Sequence, residues 1–462
     1  MDSPKTPDEL ADVVAGPVLH PGSAGYAEEC ATYNLAVTHR PAVVVGATCA
    51  ADVSAALRYA AGHELPVAVL ATGHQAIVPA DGAVLITTRR VTGVQVDPER
   101  RSVRVGAGER WQAVADAAAE HGLAPLAGSS PLVGVVGYTL GGGLSPMLGR
   151  AYGWAADHVT AIDVVTADGE HHRTGPQAEA ELFNALLGGK SNLGVVTAIE
   201  FGLFPVERLY AGGLFFAGTD APAVLRTYAK VADNAPDELT TSIAFLRLPP
   251  LPGVPDLLAG KFVVHVRFSY AGSSGDGAAL AEPLRAAAPV LLDTLREMPF
   301  GSFAEIHSDP VDPAPFLERT EVVASLPEEA VQELLELAGP EADCPVHFVE
   351  LRHLGGALSR PAAHAAGHRD GQFAVWVVAV GMPAELTAQK AFADELFARL
   401  TPWSTGRRYL NFMSTEDLDA VETAYDTPVW ERLRAAKHRY DPANLLRLNH
   451  NIAPTGNGPR HD

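Results

Sequence analysis

A glycine-studded segment, Pro131–Gly143, constrains this chain more than any other feature of its sequence. It carries Gly134, Gly137 and the triplet Gly141-Gly142-Gly143. Glycines in series have no side chains to block the backbone, so several N–H groups can approach one anionic group such as a pyrophosphate. Upstream, a second tight turn, Ala71-Thr72-Gly73-His74-Gln75, presents an imidazole. A purely structural glycine turn and a packed or capping His74 are the alternatives to a ligand site.

Familiar catalytic and nucleotide motifs are missing from the sequence. Gly189-Lys190-Ser191 resembles the end of a P-loop, but Asn184 stands where its first glycine must be. Gly106-Ala107-Gly108 is followed by Trp111 at the position of the third Rossmann glycine. There is no His-Glu-x-x-His and no Gly-x-Ser-x-Gly. These absences disfavour a P-loop enzyme, an NAD-type fold, a metal site and a serine hydrolase.

Composition narrows the class of protein further. The chain has 462 residues, so two domains are expected, and its net charge of −21 disfavours nucleic acid and anionic membranes as partners. Its three cysteines form no Cys-x-x-Cys pair, which indicates neither a disulfide framework nor a zinc site. The first residues lack the apolar run of a secretion signal, and no stretch is apolar enough to span a membrane. A cytoplasmic location is the simplest prediction, and the oligomeric state cannot be predicted.

Hydrophobic patterning predicts mixed α and β structure. A strand, a helix and a second strand follow one another between Ala42 and Leu70, and Asp168-Gly169 predicts a hairpin. After Pro205 the pattern changes to strands such as 346–351 and 373–380 interspersed with helices. Strands with helices on one face predict an antiparallel α+β layer.

Several segments, taken together and in order, resemble the flavoproteins of the vanillyl-alcohol oxidase superfamily, and most closely its berberine bridge enzyme-like oxidases. The resemblance covers about Arg40 to Pro205 and resumes from Tyr440 to Pro454, while residues 206–405 match loosely. The segments that carry it are the His74 turn, Val133–Gly143, Tyr152–Asp157, Leu182–Ala185 with Gly188-Gly189, Asn192–Thr197 and Tyr440–Asn444.

The resemblance implies an α+β fold with two domains. A PCMH-type FAD-binding domain of two α+β subdomains takes residues 1–205 and 406–462, with its core at 41–205. A substrate domain at 206–405 has an antiparallel sheet covered by helices.

The resemblance also implies FAD as cofactor, bonded to the protein through His74 alone. A cysteine that forms a second flavin bond in many relatives is replaced here, because the segment reads Gly128-Ser129-Ser130-Pro131. The family's Arg-Gly-Gly-Gly-His has become Leu70-Ala71-Thr72-Gly73-His74, so tightly bound noncovalent FAD is the alternative. The residues expected to contact the cofactor are Thr72, Gly73, His74, Gln75, Ser129, Ser130, Val133, Gly134, Gly137, Tyr138, Thr139, Gly142, Gly143, Asp157, Gly194, Val196 and Asn449.

The activity implied is that of an oxidase, because a small residue such as Val133 accompanies oxygen access in the family. The expected reaction takes a hydride from a carbon next to an alcohol or amine of a small ring-containing metabolite and passes the electrons to O2. A redox-neutral cyclase using the same pocket is the alternative. Tyr409 or Glu350 is the predicted base, with Asn411, Asn449 and Arg352 orienting the substrate.

Overall fold

The N-terminal sheet has four strands and confirms the predicted strand–helix–strand unit. The computed structural model describes residues 4, 6–250 and 254–455. Strands β2 and β3 both pair in parallel with β4, and β1 pairs antiparallel with β2. Asp52 fixes the start of the intervening helix, because its carboxylate accepts the backbone N–H groups of Ala15 and Thr48. The elements are α1 (Pro7–Val13), β1 (Val18–Leu19), α2 (Tyr26–Glu29), β2 (Val43–Gly46), α3 (Ala50–Gly62), β3 (Val67–Leu70) and β4 (Val84–Thr87).

A five-stranded antiparallel sheet follows, with strand order β5-β6-β9-β7-β8. The predicted Asp168-Gly169 hairpin joins β7 to β8, with Gly169 at φ +79°. The elements are β5 (Val94–Asp97), β6 (Ser102–Gly106), α4 (Trp111–Ala119), α5 (Val135–Leu140), α6 (Gly149–Tyr152), β7 (Val159–Val165), β8 (His171–Thr174), α7 (Ala180–Gly189) and β9 (Val195–Gly202).

The third sheet has nine strands, and every pairing in it is antiparallel. Its main path runs β13-β10-β12-β11-β16-β17-β15-β18. The elements are β10 (Arg208–Ala217), α8 (Ala221–Asp233), β11 (Leu239–Arg247), β12 (Phe262–Tyr270), α9 (Ser274–Arg285), β13 (Val290–Asp293), β14 (Arg296–Pro299), α10 (Ala304–His307), β15 (Phe316–Val323), α11 (Glu328–Ala338), β16 (Phe348–His353), β17 (Phe373–Val380), α12 (Thr387–Leu400) and β18 (Ser404–Arg407); α13 (Thr427–Tyr440) follows the sheet.

The two faces of this sheet differ in chemistry. One face is apolar and packs against α8, α9, α11 and α12, with residues such as Ile243, Val266 and Leu351 in its core. Strand alternation places Ser242, Arg267 and Arg352 side by side on the opposite face, which we call the polar face. Because a buried polar side chain is costly without a partner, this face is the natural place for a binding site.

The α+β fold class is confirmed, although several elements escaped prediction. The glycine-studded segment is not an open loop throughout, since α5 begins directly after Gly134. Strands β10, β11 and β15 and helix α13 were also not predicted. The division into domains at residues 205 and 406 stays a prediction, as does the cellular compartment. Within the described residues, no helix is both long and apolar enough to cross a bilayer.

Candidate functional site

His74 is held in one orientation and protonation state. Its Nδ1 lies 3.0 Å from Oγ1 of Thr72, and its ring stacks on Tyr33 with 4.0 Å between centroids. Burial, reinforced by the positive charge of Arg110, lowers the pKa of His74 to about 4. The imidazole is therefore neutral at physiological pH. Its Nε2 is buried without a hydrogen-bond partner, so a nucleophilic lone pair is available there when Nδ1 carries the proton.

The His74 turn lies directly against the glycine-studded segment. A Cβ atom on Gly134 would stand 3.4 Å from the side chain of Thr72, so these two backbones approach closely. Gly137, in the first turns of α5, is exposed and has open space where a side chain would be. Gly142 and Gly143 adopt φ values of +113° and +74°, which side-chain-bearing residues rarely tolerate. The two turns predicted from sequence thus form one backbone-lined cradle.

Lys190 enters this cradle and was not identified as a site residue from sequence. Its φ of +51° reverses the chain after α7 and carries the side chain inward. Its Nζ donates to Oδ1 of Asn411 at 3.0 Å and also contacts the amide oxygen of Gln75. Burial lowers the pKa of Lys190 to about 8. Among the described residues no carboxylate pairs directly with this ammonium group, and only the field of Glu318 favours its charged form.

Tyr409 joins the cradle to the polar face. Its hydroxyl oxygen accepts the backbone N–H of Leu144 at 3.0 Å and the Nδ2–H of Asn411 at 3.1 Å. Asn411 also donates to the carbonyl oxygen of Tyr138 at 2.8 Å. Burial raises the pKa of Tyr409 to about 12, although these donors and Arg352 oppose the rise. The predicted shared face of Tyr409 and Asn411 is achieved in a short 3-10 turn at Leu410–Phe412 rather than in a strand.

Glu350 organises the centre of the polar face. Its carboxylate accepts Ser242 Oγ at 2.6 Å, Arg267 at 2.7 Å and Arg352 Nε at 2.9 Å. These interactions outweigh burial and hold the pKa of Glu350 below its ordinary value. His353 lies on the other face and contacts Arg150, as strand alternation predicted.

Arg352 connects Glu350 to the rings beside Tyr409. Its guanidinium lies 4.8 Å from the ring centroid of Trp376 and 5.0 Å from that of Phe412. The two rings stack on each other at 4.3 Å, and Phe412 meets Tyr409 edge-on at 4.9 Å. A charged and aromatic wall therefore runs from the sheet to the cradle.

Glu318 is a second buried carboxylate that the sequence analysis missed. It lies on β15, on the polar face, and accepts the indole N–H of Trp376 at 3.1 Å. Burial raises its pKa to about 8, against the opposing effects of Trp376 and Arg352. A lone glutamate in a strand carries no sequence signal for such a role.

Three of the residues predicted to contact the cofactor make contacts that stabilise the fold. Asp157 binds His364 and Arg369 and caps its own turn at the backbone N–H of Trp154. Gly194 admits close packing against Val165, and Val196 is buried in β9. These contacts give no support to a cofactor role for the three residues.

Other predicted residues lie within or beside the cradle. Ser130 is buried and accepts the backbone N–H of Leu132, while Ser129 is half-buried beside it. Val133 packs against the large core below the cradle, and Thr139 is buried in α5. Asn449 donates to Ser191, next to Lys190, and its Oδ1 is buried without a partner.

The residues present fit a bound flavin dinucleotide. The unpartnered Nε2 of His74, the open backbone at Gly137 and the unpaired charge of Lys190 are together suited to an anionic group with a polar ring system. Within the described residues, no group of three or more histidine, cysteine, aspartate or glutamate side chains is arranged to hold a metal ion.

Two protein-family models match segments that contribute to this cradle. A family model described as "FAD binding domain" matches residues 41–175, and one described as "Berberine and berberine like" matches residues 408–453. The two matches contain His74 with the glycine-studded segment, and Tyr409 with Asn411, respectively. Both matched segments are those of the vanillyl-alcohol oxidase (PCMH-type) flavoprotein family. The chain is an FAD-dependent oxidoreductase.

Individual members of the vanillyl-alcohol oxidase family resemble the chain along its whole length. (R)-6-hydroxynicotine oxidase of Paenarthrobacter nicotinovorans is 26% identical over 96% of this chain and 98% of its own. The structure of BBE-like 1 from Physcomitrella patens aligns with a TM-score of 0.84 at 18% identity, covering 98% of this chain and 100% of that one. Xylooligosaccharide oxidase from Myceliophthora thermophila aligns with a TM-score of 0.83 at 20% identity, with the same coverage.

Proposed function

We propose that the protein is an FAD-dependent oxidase. Its substrate is a small ring-containing molecule that loses a hydride from the carbon bearing an alcohol or amine, and the electrons pass to O2. The observation that carries this proposal is the position of Tyr409. Its hydroxyl accepts the backbone N–H of Leu144, directly after the glycine-studded segment, and its ring meets Phe412, which stacks on Trp376 of the polar face. Such a junction is expected if residues 206–405 form a substrate domain that lies over an FAD domain.

The proposal includes a single covalent bond between FAD and His74. The orphaned Nε2 supports this attachment, because a neutral imidazole whose Nδ1 is fixed by Thr72 presents its other nitrogen as a nucleophile. Ser130 occupies the position where relatives bear a linking cysteine and lacks a thiolate. Bound FAD supplies a two-electron acceptor for the hydride and a route for electrons to oxygen.

Tyr409 removes the proton from the substrate heteroatom. The backbone N–H of Leu144 and the side-chain N–H of Asn411 already point at its oxygen and would stabilise the phenolate. The field of Arg352 acts in the same direction. Glu350 is less suited to this task, because three donors saturate its carboxylate and hold its pKa down. We assign Glu350 the positioning of Arg352.

Lys190 places positive charge in the cradle. An ammonium group in this sheltered position has no carboxylate partner, so an anion bound beside it would stabilise its charged form. Its two amide partners, Gln75 beside His74 and Asn411 beside Tyr409, hold it between both ends of the cradle. The positive charge of Lys190 would stabilise the negatively charged reduced form of the cofactor relative to the oxidised form.

Peroxide formation tests the oxidase directly. The purified yellow protein is mixed with benzylic alcohols, cyclic amines and aldoses, first without oxygen and then with it. Bleaching of the flavin without oxygen, followed by one equivalent of peroxide per turnover in air, is the expected result. A product of unchanged mass with the flavin oxidised throughout would instead establish the redox-neutral cyclase.

A further inference from the structure

We propose that the substrate of this site carries a carboxylate, bound at the end of the polar face formed by β12 and covered by α10. The inference rests on the proposed function, since it specifies the substrate of that same site. It concerns the part of the substrate that lies away from the reacting carbon. The relatives do not indicate which chemical group that part carries.

Charge on this part of the face is unbalanced. Arg267 and Arg352 share a single carboxylate, that of Glu350. Asp309 reaches Arg352 only through its field, and it is half-buried at the edge. His265 and His307 add no charge, because burial holds the pKa of both imidazoles well below the ordinary value. A negatively charged group would therefore complete the site.

Unpartnered polar atoms mark where that group binds. Arg267 Nε, both ring nitrogens of His307, Nε2 of His265, and the hydroxyls of Ser269 and Thr240 are buried without a partner. All five side chains are more than nine-tenths buried, with 0 to 5% exposure. Each such atom costs about 1–3 kcal/mol when left unsatisfied, so a guest that hydrogen-bonds to these six atoms would stabilise this region. Guanidinium, hydroxyl and imidazole N–H groups suit an acceptor-rich guest.

Register places these side chains together. Ser242 stands between Arg267 on β12 and Arg352 on β16, and Thr240 pairs with Ser269 two positions along. His307 lies on α10, which packs on β10 and β12. The Nε2 atom of His307 lies 3.9 Å from the carboxylate of Glu350. A substrate bound here would be enclosed by α10 rather than by solvent.

A chain of contacts joins this end of the polar face to Tyr409. From β12 to β16 there are two strand spacings, or about 10 Å. Arg352 then leads through Phe412 to Tyr409. The carboxylate would thus bind at the end of the polar face that lies away from Tyr409. The rival explanation is ordered water, which would satisfy the same hydrogen bonds. Water alone, however, would leave the positive charge uncompensated.

Three ligands of similar size and different charge test the proposal. The FAD-loaded protein is titrated with phenylacetate, phenylacetamide and trimethylphenylammonium, and binding is followed by the flavin difference spectrum and by the unfolding temperature. We expect phenylacetate to bind at least about tenfold more tightly than the amide, as one charge-assisted hydrogen bond allows. Equal or tighter binding of the amide or the cation, or no binding of phenylacetate to the folded yellow protein, overturns the proposal.

Two variants locate the anion. Arg267→Lys keeps the charge beside Glu350 but removes the unpartnered Nε, and His307→Leu removes two free nitrogens at similar volume. Each should weaken phenylacetate about tenfold and leave phenylacetamide unchanged. Arg247→Lys, on β11 but on the opposite face beside Ala338, is the matched control and should change neither. Unchanged phenylacetate affinity in both test variants contradicts the proposal.

Failure of the proposed function has a different signature. If the protein is colourless and never reduced, the oxidase assignment falls. The unfolding temperatures still rank the three ligands in that case, because they do not depend on flavin absorbance.

Discussion

Lys190 Nζ lies 3.0 Å from Asn411 Oδ1, across 221 residues of sequence. The contact brings the reversed turn after α7 to the 3-10 turn after β18 and closes the cradle beside His74. Because Asn411 also donates to Tyr409, the buried charge and the proposed base share one amide. A change at Lys190 should therefore affect both the cofactor and the proton acceptor.

Lys190→Met should make the flavin harder to reduce. Removing a buried positive charge withdraws stabilisation from a negatively charged reduced cofactor, and a charged hydrogen bond contributes about 1.5–3 kcal/mol. We expect a lower midpoint potential and sulfite affinity reduced at least about tenfold, both measured spectroscopically. Lys190→Arg should restore most of each value. An unchanged potential in Lys190→Met would remove the lysine from the cofactor's surroundings.

Tyr409→Phe should slow proton removal while sparing the cofactor. General base catalysis contributes about 10²–10⁴-fold, so kcat/KM should fall by that factor with FAD fully retained. With the pKa of Tyr409 near 12, wild-type kcat/KM should increase as the pH rises toward that value, and the variant should lose this dependence. Tyr228→Phe removes a buried hydroxyl near Thr241 and serves as the control. A variant retaining the full rate and pH profile excludes Tyr409.

Val133→Leu should slow the reaction with oxygen selectively. The larger side chain would narrow the path of oxygen to the cradle, while the charged and aromatic wall beside Tyr409 and Arg352 would be unchanged. Stopped-flow measurement of the two half-reactions separates these steps. Equal slowing of both would mean that Val133 only packs against the core.

Glu318→Gln should flatten the pH dependence of stability. The folded pKa of about 8 exceeds the unfolded value of 4.5, so between these values the native state holds a proton that the unfolded state has released. Stability should then decrease by about 1.4 kcal/mol for each pH unit of rise within that window. Denaturant unfolding at several pH values, with Glu395→Gln on the exposed surface as control, measures the difference. Parallel profiles for Glu318→Gln and the wild type would contradict the raised pKa.

Sequence predicted the features that local chemistry determines. The His74 turn and the glycine-studded segment are visible because close backbone approach requires glycine, and the facing of Glu350 and Arg352 follows from strand alternation. Lys190 and Glu318 were missed because their roles arise from burial by segments distant in sequence. The strand β15 that bears Glu318 was itself not predicted. The grouping of the unpartnered polar atoms of β11, β12 and α10 depends on the register of the sheet and on the packing of α10. Asp157, expected near the cofactor from resemblance, also binds His364 and Arg369, a pairing that the sequence does not indicate.

The most direct test is the mass of the denatured protein and of its peptide containing His74. The account predicts that the whole chain is heavier by one FAD and that the added mass maps to His74. In His74→Ala the yellow cofactor should separate from the chain on denaturation, while Ala substitution of the exposed His171 should leave the bond intact. An unmodified peptide with FAD released from the wild type would contradict the covalent bond, and a colourless native protein would contradict the flavin site altogether.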